Sequence, residues 1–293
     1  MLEEILKFRR KDLEKKGYKI NDRKLSSLRP LFSDDYKQME IALSEGDIVY
    51  SGAEHKGKPK LPNITYFPVI AEVRGILMNS SMGHQHTQSQ KDDPRLFQEI
   101  YEFLGYGAML IRNVSGTTLY ILKPNEKVIV GTSDNMTIIN TGQYPLVTVD
   151  YANPDMNSSN KDLEQQIGPL ILGRSSVKGI LFKLNPEYIK RGLLKGSEDN
   201  TFVRIRDCRL GQELYERLYE CRKQFESSGI NLVFGGNIPA ELKSEFSRPL
   251  LELVIEQNEA LLSALKIDPL RFPRFGDANI LYDESGSRIG TAS

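Results

Sequence analysis

Residues 99–130 read EIYEFLGYGAMLIRNVSGTTLYILKPNEKVIV, a succession of short apolar runs separated by turn residues. Runs of this length that are rich in aromatic and β-branched residues are typical of strands. Within the stretch, NVSGTTLYI predicts a hairpin built on Ser115 and Gly116, and YILKPNEKVIV predicts a strand, a turn and a second strand. The stretch therefore predicts β-structure with tight connections.

The same pattern of short apolar runs and turn residues extends over residues 47–152. Runs such as DIVYSG, ITYFPVIAEV, MTIINT and PLVTVDY alternate with turn signals such as NTGQYP, without intervening helical patterns. Many short strands at close spacing predict an antiparallel sandwich or barrel.

Helical patterns flank this region on both sides. Residues 1–45 are predicted to be helical, and SDDYKQMEIALSEG would begin at an N-cap, Ser33, and stop at Gly46. From about residue 165 the helical period returns, and one helical stripe consists of Leu214, Leu218, Cys221 and Phe225. A further long helix is predicted to begin at Pro239. We therefore predict an N-terminal helical arm (1–45), a barrel (46–165) and a mainly helical C-terminal extension (166–293).

The composition excludes several classes of protein. Lys plus Arg and Asp plus Glu both number 39, whereas a non-specific nucleic-acid binder is expected to carry a basic excess. The two cysteines, Cys208 and Cys221, are too few for a disulfide framework. The N-terminus lacks the apolar core of a secretory signal, and no apolar run is long enough to cross a bilayer. We therefore expect a soluble, cytoplasmic protein without nucleic-acid or membrane partners.

Two of the three histidines stand two residues apart, in GHQH. Alternate residues of a strand face the same side of a sheet, so His84 and His86 are expected to project together into the barrel. Two imidazoles are half of a metal site, and the carboxylate of Glu99 is the natural third ligand. The third histidine, His55, lies in a polar run and is predicted to be exposed. The glycine-rich FGGNIPAE (residues 234–241) is interpreted as a loop before a helix.

The pattern GHQH…EIYEFLGYGAMLI…VIVGTSDNMTIINTG resembles the cupin superfamily, and specifically the archaeal-type cupin glucose-6-phosphate isomerases. The resemblance covers roughly residues 25–165. It implies a mainly β fold, the cupin-like double-stranded β-helix or jelly-roll barrel. It also implies a homodimer that interconverts glucose 6-phosphate and fructose 6-phosphate in glycolysis and gluconeogenesis.

The resemblance also assigns roles to individual residues. His84, His86 and Glu99 would hold a divalent metal ion (Fe, Mn, Ni or Zn), and Glu99 and Tyr101 would be catalytic. The phosphate of the sugar phosphate would bind at Ser81 and Gly83, where backbone amides can approach it closely. The sequence departs from the family where a third metal histidine is expected, because that position is Met136.

Three functions are compatible with these residues. The first is the metal-dependent isomerase. The second is a non-catalytic cupin that binds a sugar phosphate, which Met136 favours. The third is another metal-dependent cupin enzyme, such as an oxygenase, because two histidines and one carboxylate also suit ferrous iron and oxygen.

Overall fold

The structure is a computed structural model. It describes residues 14–15, 17–28, 48–55, 63–67, 70–72, 75–77, 79–87, 99–131, 134–141, 146–152, 157–159, 170–176, 179–184, 186–192, 194–195, 202–206, 212–238, 280–282 and 288–291.

The elements follow one another in this order. The first part contains β1 (Tyr18–Lys24), α1 (Leu25–Leu28), β2 (Ile48–His55), β3 (Asn63–Phe67), β4 (Ile70–Glu72), β5 (Gly75–Leu77), β6 (Asn79–Ser80) and β7 (His84–Thr87). The middle contains β8 (Glu99–Phe103), β9 (Gly107–Asn113), β10 (Gly116–Leu122), β11 (Lys127–Val130), β12 (Asn135–Asn140), β13 (Leu146–Ala152) and β14 (Asn157–Ser159). The last part contains β15 (Leu170–Ser176), β16 (Gly179–Leu184), α2 (Pro186–Lys190), β17 (Phe202–Arg206), α3 (Gln212–Glu220), α4 (Arg222–Ser227), β18 (Ile230–Phe234), β19 (Ile280–Tyr282) and β20 (Arg288–Thr291).

Two sheets form the barrel. The first has the order β1-β2-β3-β13-β8-β11, and the second has the order β14-β7-β12-β9-β10-β18. The eight strands β3 and β7 to β13 are divided between the sheets as β3-β13-β8-β11 and β7-β12-β9-β10, which is the strand order of a jelly roll. The mainly β, cupin-like fold predicted from the sequence is therefore confirmed.

Apolar side chains from both sheets fill the space between them. Phe67 and Phe103 from the first sheet belong to one buried cluster with Met109, Ile111 and Met136 from the second. The predicted hairpin is formed by β9 and β10, with Asn113 opposite Gly116. The alternation of strand residues explains this core, because every second side chain points inward.

Part of the region beyond residue 165 also packs on the barrel. Strand β18 extends the second sheet by pairing parallel to β10. Leu218 of α3 and Phe225 of α4 are buried against the outer face of that sheet, as their helical stripe predicts. Cys221 packs beside them, and burial raises the pKa of its thiol, which suits a structural cysteine.

Several elements differ from the sequence prediction. Tyr18–Lys24, in the predicted helical arm, is a strand because it pairs antiparallel with β2. The predicted helical extension contributes β15, β16 and β17 to a sheet with β4 and β5, so these described segments are strands rather than helices. The helices predicted over 33–46 and from Pro239 lie outside the described residues. Where the chain is described, no helix combines the length and apolar character needed to span a membrane.

Candidate functional site

The interior of the barrel changes from apolar to polar along its strands. At one end, β3 and β8 contribute the fully buried Phe67 and Phe103. At the other end, Asp150 of β13 lies opposite Asn63 of β3 and Tyr101 of β8. The side-chain amide of Asn63 donates to the Asp150 carboxylate at 2.7 Å. This polar end is the candidate site.

Glu99 and Tyr101 form a buried pair at this end. They stand two residues apart on β8 and therefore face the same side. The Tyr101 hydroxyl donates to Oε2 of Glu99, and the two residues are 3% and 2% exposed. Burial, and after it the Glu99 carboxylate, holds the pKa of Tyr101 well above its usual value. Tyr101 is therefore a neutral donor that fixes the orientation of the carboxylate.

His84 reaches the same carboxylate from the opposite sheet. Its Nε2 lies 3.8 Å from Oε2 of Glu99, and its side chain is 24% exposed. This distance is too long for a hydrogen bond and leaves space for an atom between the two groups. Because His84 is partly exposed while Glu99 is buried, the histidine marks the side from which a ligand can enter.

The donor set can be tested for its fit to a metal ion. Ligand bonds of about 2.0–2.2 Å allow two donors 3.8 Å apart to share one ion. His86 lies on the same strand as His84, but its side chain is outside the described part of the structure. Met136 is paired with His84 across β12 and β7 and is 2% exposed, and its thioether is a poor ligand for hard divalent ions. His84 and Glu99 therefore fit an ion, and the third ligand predicted by sequence is His86.

The described side chains do not by themselves complete a metal centre. Among them, no group of three or more His, Cys, Asp and Glu residues is arranged to hold an ion. The predicted metal set of His84, His86 and Glu99 thus has two members whose geometry is described and one whose geometry is not.

The predicted phosphate residues Ser81 and Gly83 have structural contacts in the barrel. The amide of Ser81 donates to the carbonyl of Ile138 at 2.8 Å, and its hydroxyl accepts from the Ile138 amide at 2.9 Å. Gly83 has a φ of +77°, and a Cβ at this position would lie 2.4 Å from the carbonyl oxygen of Met136. Glycine is therefore required at position 83 for both conformation and space. Phosphate binding by these two residues stays a prediction.

Ser81→Ala is expected to destabilise the fold by about 1–3 kcal/mol, because the buried amide of Ile138 loses its acceptor. Urea unfolding monitored by circular dichroism measures the change, with the exposed Ser115→Ala as the control. If Ser81→Ala kept full stability but lost binding of glucose 6-phosphate, the phosphate role of this hydroxyl would be supported instead.

Several polar residues of this end were not singled out from the sequence. Tyr50 of β2 accepts a hydrogen bond from the Met82 amide at 3.2 Å and stacks on Phe67 with ring centroids 5.2 Å apart. Asn63 and Asp150, described above, come from two further strands. No local motif marks these residues, because only the topology of the sheets brings β2, β3 and β13 beside the turn that precedes His84.

One other sequence interpretation is revised by the structure, and a second one holds over its described residues. His55 was predicted to be exposed, but it ends β2, is 6% exposed and packs on Tyr18 with ring centroids 4.9 Å apart. The loop interpretation of FGGNIPAE holds over 235–238, where Asn237 accepts from the Ile129 amide at 2.6 Å and donates to its carbonyl at 2.9 Å. The side chain of Asn237 thus pairs with β11 as a neighbouring strand would.

Comparison with known proteins gives only partial similarities. No protein-family model matches the chain, and no curated protein matches it. The capsular polysaccharide assembling protein CapF from Staphylococcus aureus is 18% identical over 38% of this chain and 32% of its own, with a TM-score of 0.27. The Drosophila melanogaster CENP-C cupin domain is 10% identical over 43% of this chain and 79% of its own, with a TM-score of 0.27. A sugar phosphate isomerase of the cupin superfamily from Silicibacter pomeroyi is 11% identical over 54% of this chain and 76% of its own, with a TM-score of 0.24.

The chain spans about a third of the length of CapF. At such low identities and TM-scores, these similarities carry no argument about activity. The fold class rests on the strand order of the two sheets.

Proposed function

We propose that the polar end of the barrel is the active site of a metal-dependent isomerase that interconverts glucose 6-phosphate and fructose 6-phosphate. The observation that supports this most is the convergence of two groups on one buried carboxylate oxygen. Oε2 of Glu99 accepts the Tyr101 hydroxyl and lies 3.8 Å from Nε2 of His84. A buried carboxylate that is held by a neutral donor and reached from one open side is a suitable general base.

In this proposal Glu99 moves the carbon-bound proton. It removes the proton from C2 of the open aldose, which gives an enediol, and returns it to C1, which gives the ketose. The hydroxyl proton of O2 passes to O1 in the same sequence, so that atoms and charge balance. Tyr101 stays protonated throughout, because its pKa is held well above the usual value by burial and by Glu99. Its role is to orient the carboxylate.

A divalent ion would be held by His84 and Glu99, with His86 as the predicted third ligand. When bound, such an ion polarises the two sugar oxygens as a Lewis acid. A homodimer and a cytoplasmic location belong to the same proposal.

A second function, non-catalytic binding of a sugar phosphate, is favoured by one observation. Met136 fills the interior position expected for a histidine, and it is buried in the apolar cluster. A protein without this ligand would retain a pocket without retaining turnover.

The experiment that separates these functions combines turnover with binding. Purified protein is loaded with Fe, Mn, Ni or Zn, and conversion of glucose 6-phosphate is followed together with calorimetric binding to the unchanged protein and to His84→Ala. The isomerase proposal expects turnover with at least one metal and its loss in His84→Ala. Absence of turnover with every metal would contradict it, and binding that survives His84→Ala would support the non-catalytic alternative. Oxygen consumption by the iron-loaded protein would indicate an oxygenase instead.

A further inference from the structure

Arg23 lies on the edge strand of the first sheet, beside the candidate site. In the antiparallel pair of β1 and β2 it stands directly opposite Tyr50. Directly opposed residues project to the same face of a sheet, so the guanidinium lies on the face that carries Tyr50. Arg23 is half-buried. The strand was not anticipated in the sequence, so this placement follows from the fold alone.

Tyr50 connects Arg23 to the turn that precedes His84. Burial raises the pKa of Tyr50, and the nearby Arg23 guanidinium opposes this rise. The Tyr50 hydroxyl accepts from the Met82 amide at 3.2 Å. Tyr50 is also close enough to Tyr101 to contribute to its raised pKa. One tyrosine therefore separates the guanidinium from the Glu99 and Tyr101 pair.

The residues next to and opposite Arg23 favour the binding of an anion by its guanidinium group. The carboxylate of the preceding residue, Asp22, accepts from the Ser51 hydroxyl at 2.8 Å, and the residue opposite Arg23 is a tyrosine rather than a carboxylate. A guanidinium carries five N–H donors in a planar fork that matches a phosphate group, and one tyrosine oxygen can use only part of them.

We propose that Arg23, with the Tyr50 hydroxyl beside it, binds the phosphate group of the substrate and so determines specificity for phosphorylated over neutral sugars. This inference rests on the proposed function and deepens it. It assigns the anion to side chains of β1 and β2 rather than to Ser81, whose amide and hydroxyl are used within the barrel. The sugar chain would then extend from its phosphate group at Arg23, past Tyr50, so that the reacting carbons C1 and C2 lie at Glu99.

The test compares three ligands with three variants by calorimetry. Glucose 6-phosphate, inorganic phosphate and glucose are titrated into the unchanged protein, Arg23→Gln and Arg23→Lys. Because a charge-assisted hydrogen bond contributes roughly 1.5–3 kcal/mol, Arg23→Gln is expected to weaken the binding of glucose 6-phosphate and phosphate by about 10–100-fold. Affinity for glucose should not change. Arg23→Lys keeps the charge without the fork and should show a smaller loss.

Lys19→Gln is the matched control, because it removes one positive charge from an exposed position of the same strand. Its affinities should equal those of the unchanged protein. If Arg23→Gln does not fold, Arg23→Lys, with its circular dichroism spectrum as a check, carries the comparison. Equal affinity of the folded Arg23 variants and the unchanged protein for glucose 6-phosphate would overturn the inference, as would equal affinity of the unchanged protein for glucose 6-phosphate and glucose. Arg23-dependent binding without turnover would support the inference while contradicting the isomerase proposal.

Discussion

Replacing Glu99 with glutamine is expected to lower the kcat for interconversion of glucose 6-phosphate and fructose 6-phosphate by about 10²–10⁴-fold. Glutamine has nearly the same shape, and its carbonyl oxygen can still accept the Tyr101 hydroxyl, so the buried arrangement is retained. Its amide cannot take a proton from C2. Steady-state kinetics in both directions, with the metal content of each preparation measured, provide the test.

Glu102 offers a matched control on the same strand. It is fully buried like Glu99, but it projects to the opposite face of the sheet, where its Oε1 lies 3.8 Å from Nζ of Lys127. Glu102→Gln removes the same charge from a similar depth, and it is expected to lower stability because Lys127 stays nearby. Its kcat should stay close to that of the unchanged protein. Similar kcat losses in both variants, or none in either, would show that Glu99 is not the base.

The local part of the fold could be predicted from the sequence because its signals are short-range. The hairpin of β9 and β10 follows from two alternating runs that flank a turn, and its register sets Asn113 opposite Gly116. The same alternation places Glu99 and Tyr101 on one face of β8. The proximity of His84 to Glu99 was expected because two imidazoles and a carboxylate suit a metal site, and the family resemblance implied the same ligands. Periodicity alone does not show that the two strands face each other across the barrel.

The edges of the barrel could not be predicted, because their partners are distant in the chain. YKINDRK mixes apolar and charged residues without a decisive period, and it becomes β1 only by pairing with β2. INLVF follows two helices and becomes β18 by pairing parallel to β10. In both cases the pairing partner is distant in the chain, so the local sequence does not reveal the place of the strand in the sheet, even where residues such as those of INLVF favour a strand.

The prediction that Ser81 binds the phosphate group was limited in the same way, by a partner that is distant in the chain. A hydroxyl beside a glycine suits an anion site, but the partner of the Ser81 hydroxyl is the amide of Ile138, 57 residues later. Arg23 was likewise not considered, since only the pairing of β1 with β2 brings it next to Tyr50. Short motifs identify residue types capable of binding, whereas the fold decides which of them are already used.

A large loss of stability is expected from Gly236→Ala. A Cβ at this position would lie 1.8 Å from the carbonyl oxygen of Lys127 and 2.8 Å from its carbonyl carbon. Both are backbone atoms, so either β11 or the loop after β18 must move. We expect the free energy of unfolding to fall by about 2–5 kcal/mol, which combines overpacking with the loss of neighbouring hydrogen bonds.

The hydrogen bonds at risk are those that attach this loop to the barrel. Asn237 bonds to both the amide and the carbonyl of Ile129, and the Gly235 amide donates to the carbonyl of Ile121 at 3.0 Å. Gly52→Ala is the control, because a Cβ there would meet no atom within 4 Å. Urea unfolding curves give the midpoint and slope for each variant, and only Gly236→Ala should show a lower midpoint.

The effect should reach the candidate site through β11. This strand is the edge of the first sheet and pairs with β8, where Val130 lies opposite Glu99 and Val128 opposite Tyr101. Asn237 satisfies backbone groups on β11 that an unprotected edge would leave open. Loss of this contact would weaken the pairing of β11 with β8, the strand that carries Glu99. Gly236→Ala should therefore also weaken ligand binding at temperatures below its unfolding transition. Equal unfolding midpoints for Gly236→Ala and Gly52→Ala would contradict this prediction. They would mean that displacing the loop from β11 does not lower the free energy of unfolding, and that β18 and its loop do not stabilise the barrel.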